Sequence, residues 1–379
     1  MQKFDYIITG SGASGLMMAY RMANDAFFDD KSILLIDKEK KNSNDRTWCF
    51  WEQGTGEWDG ILTKKWEEIL FKSDTFSDEI LIAPYSYKMI RSAQLYEFLW
   101  KKINSKENIS FVEDEVLNIS HRTNIGSVLT KKTEYHGKKV INSILFDQGY
   151  KQQAKYPVLR QHFLGWFIET KEDSFDDTSA TFMDFTVAQK KNTRFMYVLP
   201  MSPRKALFEY TLFSKKLLSK DEYEEEIKIY LEQRGIQNYT IIEKEQGVIP
   251  MTSYKFWKHN SKNVINIGTS GGWSKASTGY TFMNITKKTK ELVTFLKGDD
   301  SFLNFRKKTR FWMYDLLLLD VLSKENHIGA SFFSNLFKKN SVQSIFKFLD
   351  EETTFKEDLK IMLSSPSLRF TKAFFRRLI

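Results

Sequence analysis

Two short stretches of this sequence carry residue types suited to chemistry. The first is a glycine turn, Asp5-Tyr6-Ile7-Ile8-Thr9-Gly10-Ser11-Gly12-Ala13-Ser14-Gly15, followed by an apolar run, Ile33-Leu34-Leu35-Ile36, that ends at Asp37. Gly10 permits a tight turn out of a strand. Gly12, without a Cβ, lets a pyrophosphate approach the backbone, and Gly15 lets the next helix lie close to the strand. The free N–H groups of a helix starting at Ala13, and its positive dipole end, then face the phosphates. Asp37 stands where a carboxylate meets ribose hydroxyls. Strand, G-x-G-x-x-G, helix, strand and acid together predict a bound dinucleotide, with FAD and NAD(P) both open. The second stretch is Ala206-Leu207-Phe208-Glu209-Tyr210-Thr211-Leu212-Phe213. An acid in such a run is either a general acid of raised pKa or a strand residue turned outward, and alternation taken alone favours the outward position.

These residues need a scaffold. Residues 1 to about 40 read as a βαβ start, and residues 43–60 as a loop rich in aromatics (Trp48, Phe50, Trp51 and Trp58). Helical spacing of Leu95, Phe98, Leu99 and Ile103 predicts a helix over 92–102. Strands are expected over 109–119 and 138–146, then long strands over 156–184 and 193–212. A charged helix over 221–234 should end at Gly235. Asn263-Val264-Ile265-Asn266-Ile267-Gly268 reads as a buried strand running into Gly268, Gly271 and Gly272, with a helix from Phe282. The remainder, from about Asp299, reads as helical. A nucleotide fold that starts, gives way to a β-rich segment and returns near residue 268 is the order of large flavoproteins, which favours FAD. The expected architecture is therefore α/β and two-lobed. A Rossmann-like FAD-binding domain is split between residues 1–155 and 251–298. A β-rich substrate domain covers 156–250 and a helical C-terminal region 299–379.

Composition narrows the class. The chain has 379 residues, long enough for two lobes, and its single cysteine, Cys49, excludes an intrachain disulfide. Five scattered histidines without H-E-x-x-H argue against a metal enzyme. The first strand starts near Phe4, which leaves no space for a signal peptide, and no apolar stretch approaches the ~18 residues of a spanning helix. A cytoplasmic protein, soluble or peripherally bound, is expected. The net charge of +9 comes from lysines mostly interleaved with acids, and no nucleic-acid motif is visible. The end of the chain differs. Leu368, Phe370, Phe374, Phe375 and Leu378 fall on one helical side and Arg369, Lys372 and Arg376 on another, with no acid after Pro366. Such a basic amphipathic helix lies on a membrane surface or docks on the protein's own core.

Over nearly its whole length the chain resembles FAD-dependent lycopene cyclases of the bacterial and plant β-cyclase type. The resemblance rests on Gly10 to Gly15, Arg46-Thr47-Trp48-Cys49-Phe50-Trp51-Glu52, Tyr87-Lys88-Met89-Ile90-Arg91 and Gln161-His162-Phe163-Leu164-Gly165-Trp166. Met183-Asp184-Phe185, Phe195-Met196-Tyr197-Val198-Leu199-Pro200 and Leu207-Phe208-Glu209-Tyr210-Thr211 follow. The last blocks are Ile267-Gly268-Thr269-Ser270-Gly271-Gly272 and Lys275-Ala276-Ser277-Thr278-Gly279-Tyr280-Thr281-Phe282. The resemblance implies closure of the ψ-ends of lycopene, or of a related acyclic carotene, into β-ionone rings by proton addition, ring closure and proton loss. It implies reduced FAD without net redox change, NAD(P)H as electron donor, and association with the inner face of the membrane.

The resemblance also implies site roles. Glu209 matches the family's acidic motif, Phe-Leu-Glu-Glu-Thr in plants, although Tyr210 stands where a second acid is usual. Asp184 is a candidate for assisting proton transfer or for a structural hydrogen bond. Gly10, Gly12, Ala13, Gly15, Asp37, Gly268, Gly271 and Gly272 would hold the cofactor, with Arg91 as a further anchor. Trp48, Trp51 and Trp166 are candidates to line the polyene site, and His162 reads as a core histidine. Two competing readings remain at this level: an FAD-dependent polyprenyl reductase or hydroxylase acting on an apolar substrate, and a non-catalytic basic interaction protein on a flavin fold.

Overall fold

The computed structural model describes residues 2–122, 125–146, 148–298, 300–305, 308–364 and 367–378. In chain order these hold β1 (Gln2–Thr9), α1 (Ala13–Ala23), β2 (Ile33–Asp37), β3 (Thr47–Gln53), β4 (Lys64–Trp66), β5 (Glu68–Ser73), β6 (Phe76–Leu81), β7 (Tyr85–Arg91) and α2 (Ser92–Ile103). Then come β8 (Ile109–Glu113), β9 (Val116–Arg122), β10 (Ile125–Thr130), β11 (Glu134–Asn142), α3 (Gly149–Gln152), β12 (Leu159–Thr170), β13 (Ser179–Asp184), β14 (Thr193–Ser202) and β15 (Lys205–Ser214). α4 (Lys220–Glu232), β16 (Tyr239–Met251), β17 (Val264–Asn266) and α5 (Phe282–Leu296) follow. The end is helical: α6 (Phe311–Lys324), α7 (Gly329–Lys339), α8 (Val342–Leu349), α9 (Phe355–Leu363) and α10 (Ser367–Leu378).

The chain divides into two compact units. One comprises residues 1–48, 91–156 and 253–312; the other comprises 49–90, 157–252 and 313–379. In the first, strand order is β8-β2-β1-β11-β10-β9, and β17 pairs with β11. β1 lies parallel to β2 and β11, β2 parallel to β8, and β11 parallel to β17. Short apolar strands buried on both sides suit a parallel sheet, and Ile33 to Ile36 are buried without interruption. Ile7, Leu34, Ile36, Val128, Tyr135 and Val140 form its core. Residues after 252 thus return to the sheet that residues 2–142 begin.

The second unit is built on a sheet of order β16-β12-β15-β14-β13-β5-β6. Its β12–β15–β14 centre is antiparallel, and β13 runs parallel to β5. One face is covered by α4, whose Tyr223, Ile227, Tyr230 and Leu231 pack with Leu164, Trp166, Ile168, Phe208, Tyr210 and Leu212. α4 starts where its capping box dictates: Ser219 accepts from the Glu222 amide and the Glu222 carboxylate accepts from the Ser219 N–H.

Several expectations needed correction. The aromatic stretch after Asn44 is not all loop, since Thr47–Gln53 forms β3, which pairs with β7. Residues 49–90, expected in the first FAD segment, fall in the second unit, because β5 pairs with β13. Residues 300–312, expected in the helical end, fall in the first unit. The long strands break at turns: 156–184 is β12 and β13, and 193–212 is the hairpin β14–β15. β16 was not anticipated. Asp299 and Pro366 lie outside the described residues, as does the side chain of Leu378. In α10, Phe370 and Ala373 pack towards Leu317 and Val321, while Leu368, Phe374 and Phe375 are exposed.

Candidate active site

The glycine turn of the first unit is closed by the protein at two of its glycines and open at the third, and the returning Gly268 is closed as well. Gly10 takes φ +88°, and a Cβ there would lie 2.3 Å from Ser143 Oγ. A Cβ on Gly15 would lie 1.9 Å from the Gly10 carbonyl oxygen, and one on Gly268 would lie 2.1 Å from Ser14 Oγ. A Cβ on Gly12 would meet no protein atom within 4 Å. Gly12 is also the N-cap of α1 and offers no side chain to its first N–H groups. An open approach to uncapped helix N–H groups fits a pyrophosphate. Ala13 is the first residue of α1.

Asp37 closes this turn. Ser11 Oγ donates to Asp37 Oδ2 at 2.9 Å, the Ser11 N–H donates to the same oxygen, and the Lys38 N–H donates to Oδ1 at 2.7 Å. A carboxylate accepts about four hydrogen bonds, so capacity remains for a ribose hydroxyl. The returning motif follows β17: Gly268 and Gly272 have φ of +60° and +69°, and a Cβ on Gly271 would lie 2.2 Å from the Asn266 carbonyl oxygen. The approach of Gly268 to Ser14 brings the two glycine motifs together within one unit. Arg91 ends β7 directly before α2 and is nearly buried.

Glu209 lies at the centre of the second unit's sheet, on the face away from α4. In register, Glu209 on β15 stands opposite Gly165 on β12 and Tyr197 on β14. Gly165 is in turn opposite Glu245 on β16. Thr211 Oγ1 donates to Glu209 Oε1 at 2.9 Å, and Glu209 also shares a hydrogen bond with Glu245. Burial, and then the charge of Glu245, raise the Glu209 pKa well above its ordinary value. Its side chain nonetheless keeps some accessible surface. A proton donor needs both conditions: a low-dielectric surrounding and a side chain a substrate can reach.

Apolar and aromatic groups extend from this face. Tyr197 packs with Phe195 at 5.1 Å and with Phe182 at 6.4 Å. Phe182 in turn meets Tyr87, Trp51 and Phe346. Trp51 stacks on Phe346 at 4.4 Å and donates from Nε1 to Asp350 at 2.9 Å. The Cys49 thiol, hydrogen-bonded to Tyr87, is held protonated chiefly by burial, beside the carboxyl groups of Glu209 and Glu245.

The remaining sequence candidates stand elsewhere. Trp166 pairs with Phe208 in register and belongs to the α4-facing cluster, so it is on the opposite face from Glu209 and does not line that side. Asp184 is wholly buried on the α4 side, where Arg234 Nη2 lies at 2.6 Å, Tyr230 OH at 2.8 Å and Thr186 Oγ1 at 2.6 Å. Trp48 is in the first unit and packs against Tyr96 and Phe282. Tyr210 turns towards α4, where Arg194 donates to its hydroxyl at 3.1 Å. His162 is a buried core histidine, joined to Ser214 and Tyr223, and burial pushes its pKa down to about 4. Glu245 was missed from sequence: nothing near it forms a motif, and only its place on β16 reveals it.

The described residues contain no helix long and apolar enough to cross a membrane. Among proteins of known structure, the chain is similar to a geranylgeranyl bacteriochlorophyll reductase-like protein of Thermoplasma acidophilum, at 12% identity, covering all of both chains with TM-score 0.61. It is also similar to a flavoprotein/dehydrogenase of Cytophaga hutchinsonii, at 12% identity, covering 100% of this chain and 99% of that one with TM-score 0.60. At such identity the likeness concerns the fold, which is the Rossmann-like flavoprotein fold. In sequence, 73% of the chain matches 70% of the lycopene beta-cyclase of Pantoea ananas at 26% identity. The matched stretch spans 57% of the length of related plant proteins. Residues 5–375 match the family described as lycopene cyclase protein, and the chain belongs to that family.

Proposed function

We propose that this chain is a lycopene β-cyclase, forming β-ionone rings at the ψ-ends of lycopene or a related acyclic carotene without net redox change. The observation that carries the reading is Glu209, an acid of raised pKa in an apolar, aromatic face of the sheet, within a chain of this family. The Glu209 carboxyl gives its proton to a terminal double bond, the ring closes through a carbocation, and a ring proton leaves. The π-faces of Tyr197 and Phe195, on the same face as Glu209, stabilise positive charge. Asp184 holds the α4 layer through Arg234 and Tyr230 and takes no part in proton transfer. Trp51 supports the aromatic layer.

Gly10, Gly12, Ala13 and Gly15, with Gly268, Gly271 and Gly272, would hold FAD; Asp37 would meet its adenosine ribose and Arg91 would anchor it. Bound in its reduced form, FAD supplies negative charge for cation chemistry, and NAD(P)H is the electron donor. The substrate dissolves in membranes, so the protein is a peripheral protein on the cytoplasmic face. Leu368, Phe374 and Phe375 of α10, with Lys372 and Arg376, are the contact.

The test is expression in a lycopene-accumulating bacterium with pigment analysis. Red turning orange-yellow at unchanged pigment mass supports the reading. Unchanged lycopene beside a folded, FAD-loaded protein overturns it. A heavier, hydrogenated pigment formed with matching NADPH consumption would instead establish a polyprenyl reductase.

A further inference from the structure

The register of three neighbouring strands puts two acids on either side of a glycine. Glu209 (β15), Gly165 (β12) and Glu245 (β16) form one row across the sheet. A Cβ on Gly165 would stand 3.5 Å from Glu209 Cβ and 3.3 Å from Glu245 Cγ. A Cβ there would also lie 2.8 Å from Leu207 Cδ1; glycine leaves the space between the two acids open. β16 is an edge strand, yet Glu245 is buried. Two carboxyl groups joined by a hydrogen bond need a donor between them, so one must carry a proton.

We infer that Glu209 and Glu245 hold a single proton between them, kept on Glu209 by the Glu245 charge, and that Glu245 is thereby a positioning residue for the cyclisation. This rests on the proposed function. Written out, Glu209–COOH gives its proton to C2 of the terminal C1=C2 bond and becomes a carboxylate. The C1–C6 bond forms from the electron pair of the C5=C6 double bond, which moves the positive charge to C5, and loss of the C6 proton to Glu209 restores that double bond and regenerates the acid. C2 and C6 both adjoin C1, so one carboxyl serves both steps. Glu245 stays ionised throughout. With Glu209 also ionised, two negative charges stand side by side, which stabilises the cation and drives the proton's return.

Thr211 fixes one Glu209 oxygen by donating to Oε1 and leaves the other for the proton. Among the described residues, the other titratable groups on this face include Glu243 of β16, two residues from Glu245 in the row of Phe167, Tyr197 from β14, Cys49 from β3 and Tyr87 from β7, which is hydrogen-bonded to the Cys49 thiol. The thiol is held protonated, so it does not compete for the proton at neutral pH.

The experiment is infrared titration of the full chain with its flavin bound, comparing wild type with Glu209→Gln, Glu245→Gln and Glu245→Asp. A protonated carboxyl band should persist well above the pH range in which a free glutamate ionises in wild type and be missing in Glu209→Gln. In Glu245→Gln its midpoint should move ~1 pH unit towards acid, as expected when a neighbouring negative charge is removed. Glu245→Asp should restore part of that shift, and it serves as the test variant if the glutamine form does not fold. The alkaline limb of the turnover profile should move with the band. An unchanged midpoint in the folded Glu245 variants overturns the pair. The band needs no substrate, so a chain that leaves lycopene untouched would overturn the functional reading separately.

Discussion

Arg234 Nη2 lies 2.6 Å from Asp184 Oδ2, and Asp184 is wholly buried. Tyr230 and Thr186 donate to the same carboxylate, and the Arg234 guanidinium lies over the Tyr230 ring. The pair ties the end of β13 to α4. Asp184 is buried whereas Arg234 reaches solvent, so Asp184→Asn weakens charge-assisted hydrogen bonds without stranding the guanidinium and should cost about 2 kcal/mol of stability. Turnover per folded, FAD-loaded molecule should change little. Chemical denaturation and steady-state assay of one preparation check both; loss of turnover at unchanged stability would return Asp184 to the chemistry.

Glu209→Gln keeps the shape and the Thr211 contact but removes the acidic proton. Cyclisation should fall at least ~10²-fold. FAD content should stay close to wild type. Pigment analysis with flavin quantitation reads both, and near-normal turnover would remove Glu209 from the mechanism.

The raised Glu209 pKa also sets a pH dependence of stability. In the unfolded chain this carboxyl ionises near 4.5, whereas in the folded protein it keeps its proton to higher pH. Above pH 4.5 the folded state therefore binds more protons than the unfolded one, so this group's contribution to stability falls as pH rises until the folded pKa is passed. Glu209→Gln should gain on wild type in melting temperature as pH increases. Parallel curves would contradict the burial of an acid here.

Gly12 and Gly15 separate cofactor binding from folding. Gly15→Ala drives a Cβ into the Gly10 carbonyl and should lower both melting temperature and FAD content. Gly12→Val finds open space in the protein itself and should unfold at the wild-type temperature of the FAD-free protein, without retaining FAD. Equal FAD content in Gly12→Val and wild type would place the pyrophosphate elsewhere.

Leu368→Ser with Phe375→Ser removes exposed apolar groups from α10, while Phe370 and Ala373 keep it docked. Binding to vesicles containing phosphatidylglycerol should weaken several-fold with unchanged thermal stability. Unaltered sedimentation with vesicles would exclude α10 as the contact.

The nucleotide half of the molecule was readable because its signals are local. Gly10, Gly12, Gly15 and Asp37 are fixed by a turn and two apolar runs, and Val264 to Gly268 repeats the pattern. α4 was readable for the same reason, through a run of charged residues that stops at Gly235. The face that carries Glu209 was less so. Trp166 looked like a wall of the polyene site, but one residue from Gly165 it turns to α4. β3 was obscured by its aromatics. Glu245 was hidden because its surroundings are polar in sequence and buried only through partners far along the chain.

A register shift in β16 explains the last point further. Phe167 stands opposite Glu243, but Ile168 stands opposite Ile241, so Ile242 is an extra residue. Tyr239 and Ile241 pack on the α4 side, whereas Glu243, Glu245 and Gly247 lie in the rows of Phe167, Gly165 and Phe163 on the other. The strand changes sides partway along. What delivers Glu245 to Glu209 is thus a count of residues rather than the identity of any one. A regular strand that paired residue 242 in line would turn Glu245 to the α4 side with every side chain intact; by leaving Ile242 out of the pairing, the bulge keeps the second carboxyl on the side of Glu209.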